Sequence, residues 1–143
     1  MLQEFIHLFA PLTANCKDFK QRWDSVAGLD PGGIGGRWEG EWASDATGHR
    51  GPLHCVLSVV APELWHVTFR ASYSRLLRAC YTTDFNVAQH DGRWTFSGGS
   101  DLGAIAGGRY DYAGTATLIE MICTYTSARD RGEFRLRRST PHV

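Results

Sequence analysis

The stretch that decides the fold is residues 36–42, which read Gly-Arg-Trp-Glu-Gly-Glu-Trp. In an extended chain Trp38 and Trp42 fall on one side, whereas Arg37 and Glu39 fall on the other. A period of two with tryptophans on a single face predicts a β-strand that buries that face against the rest of the protein.

The same alternation continues to the end of the chain and predicts eight strands. No helical pattern separates them, so a parallel sheet built from βαβ units is excluded. We therefore predict an all-β fold, an antiparallel up-and-down barrel of about eight strands with an apolar inner face and no open edge. The predicted strands are residues 37–45, 53–61, 64–74, 78–89, 93–101, 107–116, 117–127 and 132–138.

The phase of each strand assigns its side chains to one face of the predicted barrel. Leu57 and Val59 share the inner face with the tryptophans, whereas His54, His66 and Arg70 project outward and are expected to face solvent. A wet outer face around a dry inner face is what a closed barrel in water requires.

The N-terminal region differs in kind from the strands that follow it. We divide the chain into residues 1–35, a short helical arm with a Gly-rich linker, and residues 36–143, the barrel. A helix is predicted over residues 14–27, with Phe19 and Trp23 packed against the barrel. The arm is either a lid on the barrel or an arm that forms a homodimer. A second apolar helical face is formed by Leu2, Phe5, Ile6 and Phe9.

Composition excludes several classes of partner. Acidic and basic residues balance at 15 each, so no net charge draws the chain to nucleic acid or to an anionic membrane. The apolar N-terminal stretch lacks a basic n-region and is too short to span a bilayer, so cytoplasmic residence is expected.

The four cysteines do not form a C-x-x-C pair, so neither a metal site nor a bound cofactor is expected. Cys55 and Cys123 fall in apolar phase within predicted strands and are expected to be buried as small hydrophobic residues. The sequence leaves open whether any of the four cysteines, Cys16, Cys55, Cys80 and Cys123, form a disulfide.

The Gly-x-Trp at residues 36–38 resembles the opening of the first strand in calycins, the superfamily of lipocalins, fatty-acid-binding proteins and avidins. In those families the tryptophan closes the barrel floor, and an Arg or Lys from the last strand lies over it. The resemblance implies that Arg138 covers Trp38, and it extends over residues 36–138. Because the helical arm is atypical, we expect a divergent, bacterial branch.

Tyrosines are the most informative side chains of the inner face. A buried phenol hydroxyl needs a hydrogen-bond partner, so a core that only fills space would use Phe instead. Several together favour a cavity with an apolar lining and convergent hydroxyls, although the hydroxyls could also bond one another in a filled core. The inner face contains Tyr73, Tyr81, Tyr110, Tyr112 and Tyr125.

The function expected from this pattern is non-enzymatic binding of a small, mostly hydrophobic or amphipathic ligand inside the barrel. Nucleophile-elbow and phosphate-loop motifs are absent from the sequence, which disfavours an enzyme. Two alternatives stay open: an isomerase- or cyclase-type enzyme that uses an interior Tyr or His, and a structural or interaction module with a filled core. The predicted ligand-binding residues are Trp42, Phe69, Tyr73, Tyr81, Phe85, Tyr112 and Tyr125.

Overall fold

The computed structural model describes residues 16–26, 33–73, 78–101 and 108–139. The second helical face predicted over residues 2–9 lies outside these ranges. The described elements are α1 (Cys16–Ser25), β1 (Gly36–Ser44), β2 (Arg50–Ala61), β3 (Leu64–Ser72), β4 (Arg78–His90), β5 (Arg93–Asp101), β6 (Arg109–Ala116), β7 (Glu120–Thr126) and β8 (Arg131–Arg138).

The eight strands form a closed barrel in which each strand pairs antiparallel with the next and β8 pairs with β1. The prediction of an up-and-down barrel is therefore confirmed. The two largest differences in strand boundaries are that β2 begins earlier, at Arg50, and that residues 117–119 form a turn before β7 instead of belonging to a strand. Backbone pairing with β1 extends β2 through Gly51 and Pro52, which are residue types typical of turns.

The inner face is apolar, as the alternation predicts. Trp38, Phe69 and Phe85 are completely buried, and burying one such side chain contributes roughly 1.5–3 kcal/mol. Val59 is an exception, because it was expected on the inner face but is 48% exposed. Val59 pairs with Trp65, and the register of the β2–β3 pairing shifts just beyond it, where β2 ends.

Helix α1 lies against the outer wall of β2, β3 and β4. Phe19 is fully buried there with Val56 and Cys80, and Trp23 packs beside them. A disulfide between Cys16 and Cys80 joins the helix to β4 across 64 residues of chain. The predicted packing of this helix is confirmed, and the described part of the arm covers the side of the barrel and neither of its ends.

The position of α1 corrects the expectation that His54 and Arg70 face solvent. The Trp23 ring meets the His54 ring edge-on at 5.4 Å between centroids, and the Arg70 guanidinium lies 4.9 Å above the Phe19 ring. Burial beneath the helix lowers the pKa values of His54 and Arg70 from their usual ranges. The strand phase correctly places both side chains on the outer face, but α1 covers that part of the face.

One end of the barrel is sealed by Trp38 and Arg138. The Trp38 indole is fully buried and donates a hydrogen bond from Nε1 to the Ile34 carbonyl oxygen at 3.1 Å. The Arg138 guanidinium lies over the ring, 5.6 Å from its centroid, and donates to the carbonyl oxygens of Gly33 and Gly35. The arrangement that the resemblance implied is confirmed, and we call this the closed end.

Within the described ranges, no helix is long and apolar enough to cross a bilayer. Cys55 and Cys123 are free and buried, as the phase of their strands predicts.

Candidate functional site at the barrel mouth

The inner face changes in polarity from the closed end to the opposite end, which we call the mouth and which carries, among the described residues, 42–51, 72–73, 78–81 and 125–132. Towards the closed end the rings pack against one another: Phe85 stacks on Phe96 with centroids 4.7 Å apart, and Phe69 meets Phe134 at 5.4 Å. Phe69 and Phe85 expose no surface to a water-sized probe. A ligand could reach these two side chains only if their neighbours moved, so the accessible part of the predicted site lies nearer the mouth.

Trp42 and Tyr73 form one wall of the mouth. Their rings stack with centroids 6.3 Å apart, and the indole Nε1 of Trp42 donates to the Ser72 carbonyl oxygen at 3.0 Å. The hydroxyl of Tyr73 lies 2.6 Å from Nδ1 of His49, whose ring stands 4.8 Å from the Tyr73 ring. Gly51 makes room for this wall, because a Cβ there would lie 2.0 Å from the Ser72 carbonyl oxygen.

Tyr81 and Tyr112 form the inner side of the site. The Tyr81 ring stacks on Phe69 at 5.2 Å, and the Tyr112 ring meets Phe85 edge-on at 5.8 Å. Burial raises the pKa of both phenols, and a hydrogen bond links their hydroxyl groups. Both hydroxyls therefore stay protonated at neutral pH and act as hydrogen-bonding groups.

Tyr125 and Tyr110 complete the ring of aromatic side chains, with centroids 6.3 Å apart. The Tyr125 hydroxyl donates a long hydrogen bond, 3.4 Å, to the Ala43 carbonyl oxygen, next to Gly132, which has no side chain to displace it. The Tyr110 side chain is 4% exposed. Its hydroxyl has no hydrogen-bond partner among the described residues that meets normal geometry, although Ser127 is near enough to lower its pKa slightly against the larger, raising effect of burial.

A carboxylate lies at the rim of the mouth. Asp130, in the turn between β7 and β8, accepts a hydrogen bond on Oδ1 from the Ser44 hydroxyl at 2.5 Å and another from the Arg131 backbone N–H at 2.8 Å. Its negative charge adds to burial in raising the pKa values of Tyr125 and Tyr110. The charge of this carboxylate therefore reaches the tyrosines around the mouth, and it would also reach a ligand bound among them.

The structure brings the seven predicted ligand-binding residues together on the inner face. Trp42, Phe69, Phe85, Tyr112 and Tyr125 belong to the buried core, and Tyr73 and Tyr81 pack against it with part of their surface exposed. Their role in binding stays a prediction.

Sequence analysis missed three groups that share the mouth with these residues: His49, Ser44 and Asp130. His49 and Asp130 lie in turns, where the alternation of a strand gives no indication of direction. Ser44 is in phase with Trp38 and Trp42, so its inward position could have been read from the pattern.

The described residues show little sign of covalent or metal chemistry. Among them no group of three metal-ligating side chains comes together. Burial raises the pKa of the Cys123 thiol to about 12, and it raises the pKa of Cys55 still further, so neither is a thiolate nucleophile at neutral pH.

A depression of about 590 Å³ lies on the outer wall across β1 and β8. Four of its charged side chains form two ion pairs, Arg50 with Glu41 at 2.8 Å and Arg135 with Glu133 at 3.3 Å. The depression is open to solvent, whereas small-molecule sites typically bury most of the ligand's surface.

No protein-family model matches the sequence, and no curated protein matches it. Two solved structures share the fold. The crystal structure of Rv2717c from M. tuberculosis is similar with a TM-score of 0.55 and 10% identity, covering 74% of this chain and 92% of that chain. A redesigned β-barrel, b11L5F_LGL, is similar with a TM-score of 0.54 and 11% identity, covering 74% and 91%. Together with the closed barrel and its Trp38–Arg138 seal, these likenesses show a calycin-like fold.

Proposed function

We propose that this calycin-like barrel is a non-enzymatic binding protein that holds a small amphipathic molecule at its mouth. The observation that carries the proposal is the concentration of inward tyrosine hydroxyls at one end of a core that is otherwise apolar. A core that only filled space would gain more stability from Phe at these positions, because each buried hydroxyl must be given a partner.

The parts of the site have separate roles in this proposal. The faces of Trp42 and Tyr73 supply apolar surface for the ligand's hydrocarbon, and the packed rings of Phe69 and Phe85 form the floor. The hydroxyl of Tyr125 is held by one long hydrogen bond, so it is available to orient a polar group of the ligand. Apolar lining with a few convergent polar groups is typical of small-molecule sites.

Displacement of a neutral fluorescent probe, N-phenyl-1-naphthylamine, by 1-octanol tests the proposal. We expect one probe per chain, with quenching of tryptophan emission. Trp42→Phe should remove most of the quenching, whereas the matched variant Trp94→Phe, at the closed end, should retain it. Tyr73→Phe and Tyr125→Phe should each weaken octanol binding by ~1–3 kcal/mol, because a buried ligand hydroxyl loses its partner. A barrel that binds no probe, or one that loses the response only in Trp94→Phe, contradicts a site at the mouth.

The alternative of an enzyme has one specific observation in its favour, the 2.6 Å contact between the Tyr73 hydroxyl and Nδ1 of His49. A phenol and an imidazole in contact at the edge of a binding site are a plausible pair for proton transfer to a bound substrate. The raised pKa values of Tyr81, Tyr112 and Tyr125 make those three poor candidates for the same role. We therefore rank binding above catalysis.

Cytoplasmic residence and a homodimer remain predictions. The Cys16–Cys80 disulfide favours an oxidising compartment over the cytoplasm, because cytosolic thiols are kept reduced.

A further inference from the structure

The carboxylate of Asp130 is unusual among the charged groups near the mouth. It is partly buried, and it forms no ion pair within 4.0 Å with any residue that the structure describes. Its Oδ1 is held by Ser44 and by the Arg131 backbone, which fixes the carboxylate without neutralising it. A fixed, unneutralised charge beside a hydrophobic site attracts a ligand of opposite charge.

Two other charged groups lie in the same turns, and both are exposed to solvent, where their charges are screened. Asp45 helps to raise the pKa of Tyr125, whereas Arg129 acts in the lowering direction on the pKa of Tyr110. The partly buried Asp130 is screened less than either of them. Of the described inward-facing side chains the one guanidinium is that of Arg138, which is bound to backbone carbonyls at the closed end.

The aromatic rings around the mouth also favour a positively charged ligand. Trp42, Tyr73, Tyr110 and Tyr125 present π faces or edges around the mouth, and π faces attract organic cations. The buried Tyr110 hydroxyl, which lacks a partner of normal geometry, is a further polar group available to an ammonium N–H or to its bound water.

We propose that the mouth selects an organic cation, a protonated or quaternary amine with an apolar tail, with its charged group beside Asp130 and among these aromatic rings. This inference rests on the proposed function, because it names the chemical class of the ligand for the same site. Cation–π attraction and the fixed carboxylate act together on the positive group, while the tail contacts Trp42 and the floor of the site.

Three probes with the same eight-carbon chain separate charge from hydrophobicity: octyltrimethylammonium, 1-octanol and octanoate, each measured at pH 7 below its aggregation concentration. We expect the ammonium to bind at least tenfold more tightly than octanol and octanoate to bind most weakly. Asp130→Asn keeps an oxygen that can accept from Ser44, so it should fold normally, and thermal unfolding checks this. Preference for the cation is measured as the ratio of the ammonium affinity to the octanol affinity within each variant. Asp130→Asn should lose most of the preference for the cation, whereas the control Asp91→Asn, in the turn at the closed end, should keep that preference.

The outcomes distinguish the two proposals. If octanol and octanoate bind as tightly as the ammonium, or if Asp130→Asn keeps the full preference, the cation inference is wrong and the binding site stands. If none of the three probes binds, both the proposed function and the cation inference are wrong. A salt dependence confined to the ammonium, and lost in Asp130→Asn, would be further support.

Discussion

The closed end and the mouth are built by the same eight strands, but the charged group at each end has different partners. At the closed end the guanidinium of Arg138 donates to two backbone carbonyls and lies over the Trp38 face. At the mouth the Asp130 carboxylate has backbone and hydroxyl partners but forms no ion pair with a described residue. The charge at the closed end is used to hold the seal in place, whereas we expect the charge at the mouth to act on a ligand.

The packing of the two ends differs in the same sense. Trp38 and Trp65 are buried almost completely, and Trp65 packs against Trp94 and Phe96. Trp42 is stacked on a partly exposed tyrosine that in turn contacts a loop histidine. We therefore expect the closed end to provide most of the stability and the mouth to bind the ligand. Three changes test this division.

The largest effect is expected from Trp38→Ala, which should lower the free energy of unfolding by ~3–5 kcal/mol because it empties a fully buried ring volume. Trp42→Ala removes the same ring from the mouth and should cost clearly less, since water can enter the space. Urea unfolding followed by circular dichroism gives both values. Equal losses from the two variants would show that the mouth is as tightly packed as the floor.

The disulfide gives the next largest effect, and it lies on the outer wall of the barrel. Replacing Cys16 and Cys80 with Ser should lower stability by ~2–4 kcal/mol, because the unfolded chain regains the entropy of an open loop. Affinity for the octanol probe should not change, since α1 packs on the outer face and contributes no side chain to the inner face. Dithiothreitol should destabilise the native protein and leave the double variant unaffected. A loss of probe binding on reduction would instead connect the helix to the site.

The smallest effect is an alkaline loss of stability that originates at the mouth. Burial holds the pKa values of Tyr81, Tyr112 and Tyr125 above the value near 10 that they have in the unfolded chain. The unfolded state therefore releases protons first, so this contribution is fully present below about pH 10 and is lost as the pH rises above it. Each unit of pKa difference corresponds to about 1.4 kcal/mol.

Unfolding free energies between pH 8 and pH 11, with tyrosinate absorbance at 295 nm, measure this loss. Tyr112→Phe should make the alkaline decline shallower, whereas Phe96→Leu, nearer the closed end, should shift the whole curve and keep its slope. Tyrosinate absorbance that rises at pH 10 in the folded protein would show that these hydroxyls are open to solvent.

Much of the barrel could be predicted because strand alternation is a local property. The period of two placed Trp42, Phe69 and Tyr112 on the inner face, and the Gly-x-Trp resemblance anticipated the contact between Trp38 and Arg138. Errors came where the backbone leaves the regular pattern. Val59, next to the register shift at the end of β2, is exposed although its phase predicts the inner face, and a helix from outside the barrel covers His54.

The candidate site was predicted less completely than the fold. The sequence indicated that the inner face contains tyrosines whose buried hydroxyls need hydrogen-bond partners, but it did not identify those partners. Asp130 lies 86 residues from Ser44 in sequence and meets it only because β8 pairs with β1 and closes the barrel. The pairing of β2 with β3 sets His49 against Tyr73, although neither residue's local sequence indicates the other.

The sequence by itself determined the strand count, the inner face and the aromatic character of the core, because each depends on the spacing of neighbouring residues along one chain. The tertiary structure decided which cysteines pair, which outer residues α1 covers, and which end of the barrel gathers hydroxyls and a carboxylate without an ion pair among the described residues. Those properties depend on distances between residues far apart in sequence, and only the closed sheet and the packed helix set such distances.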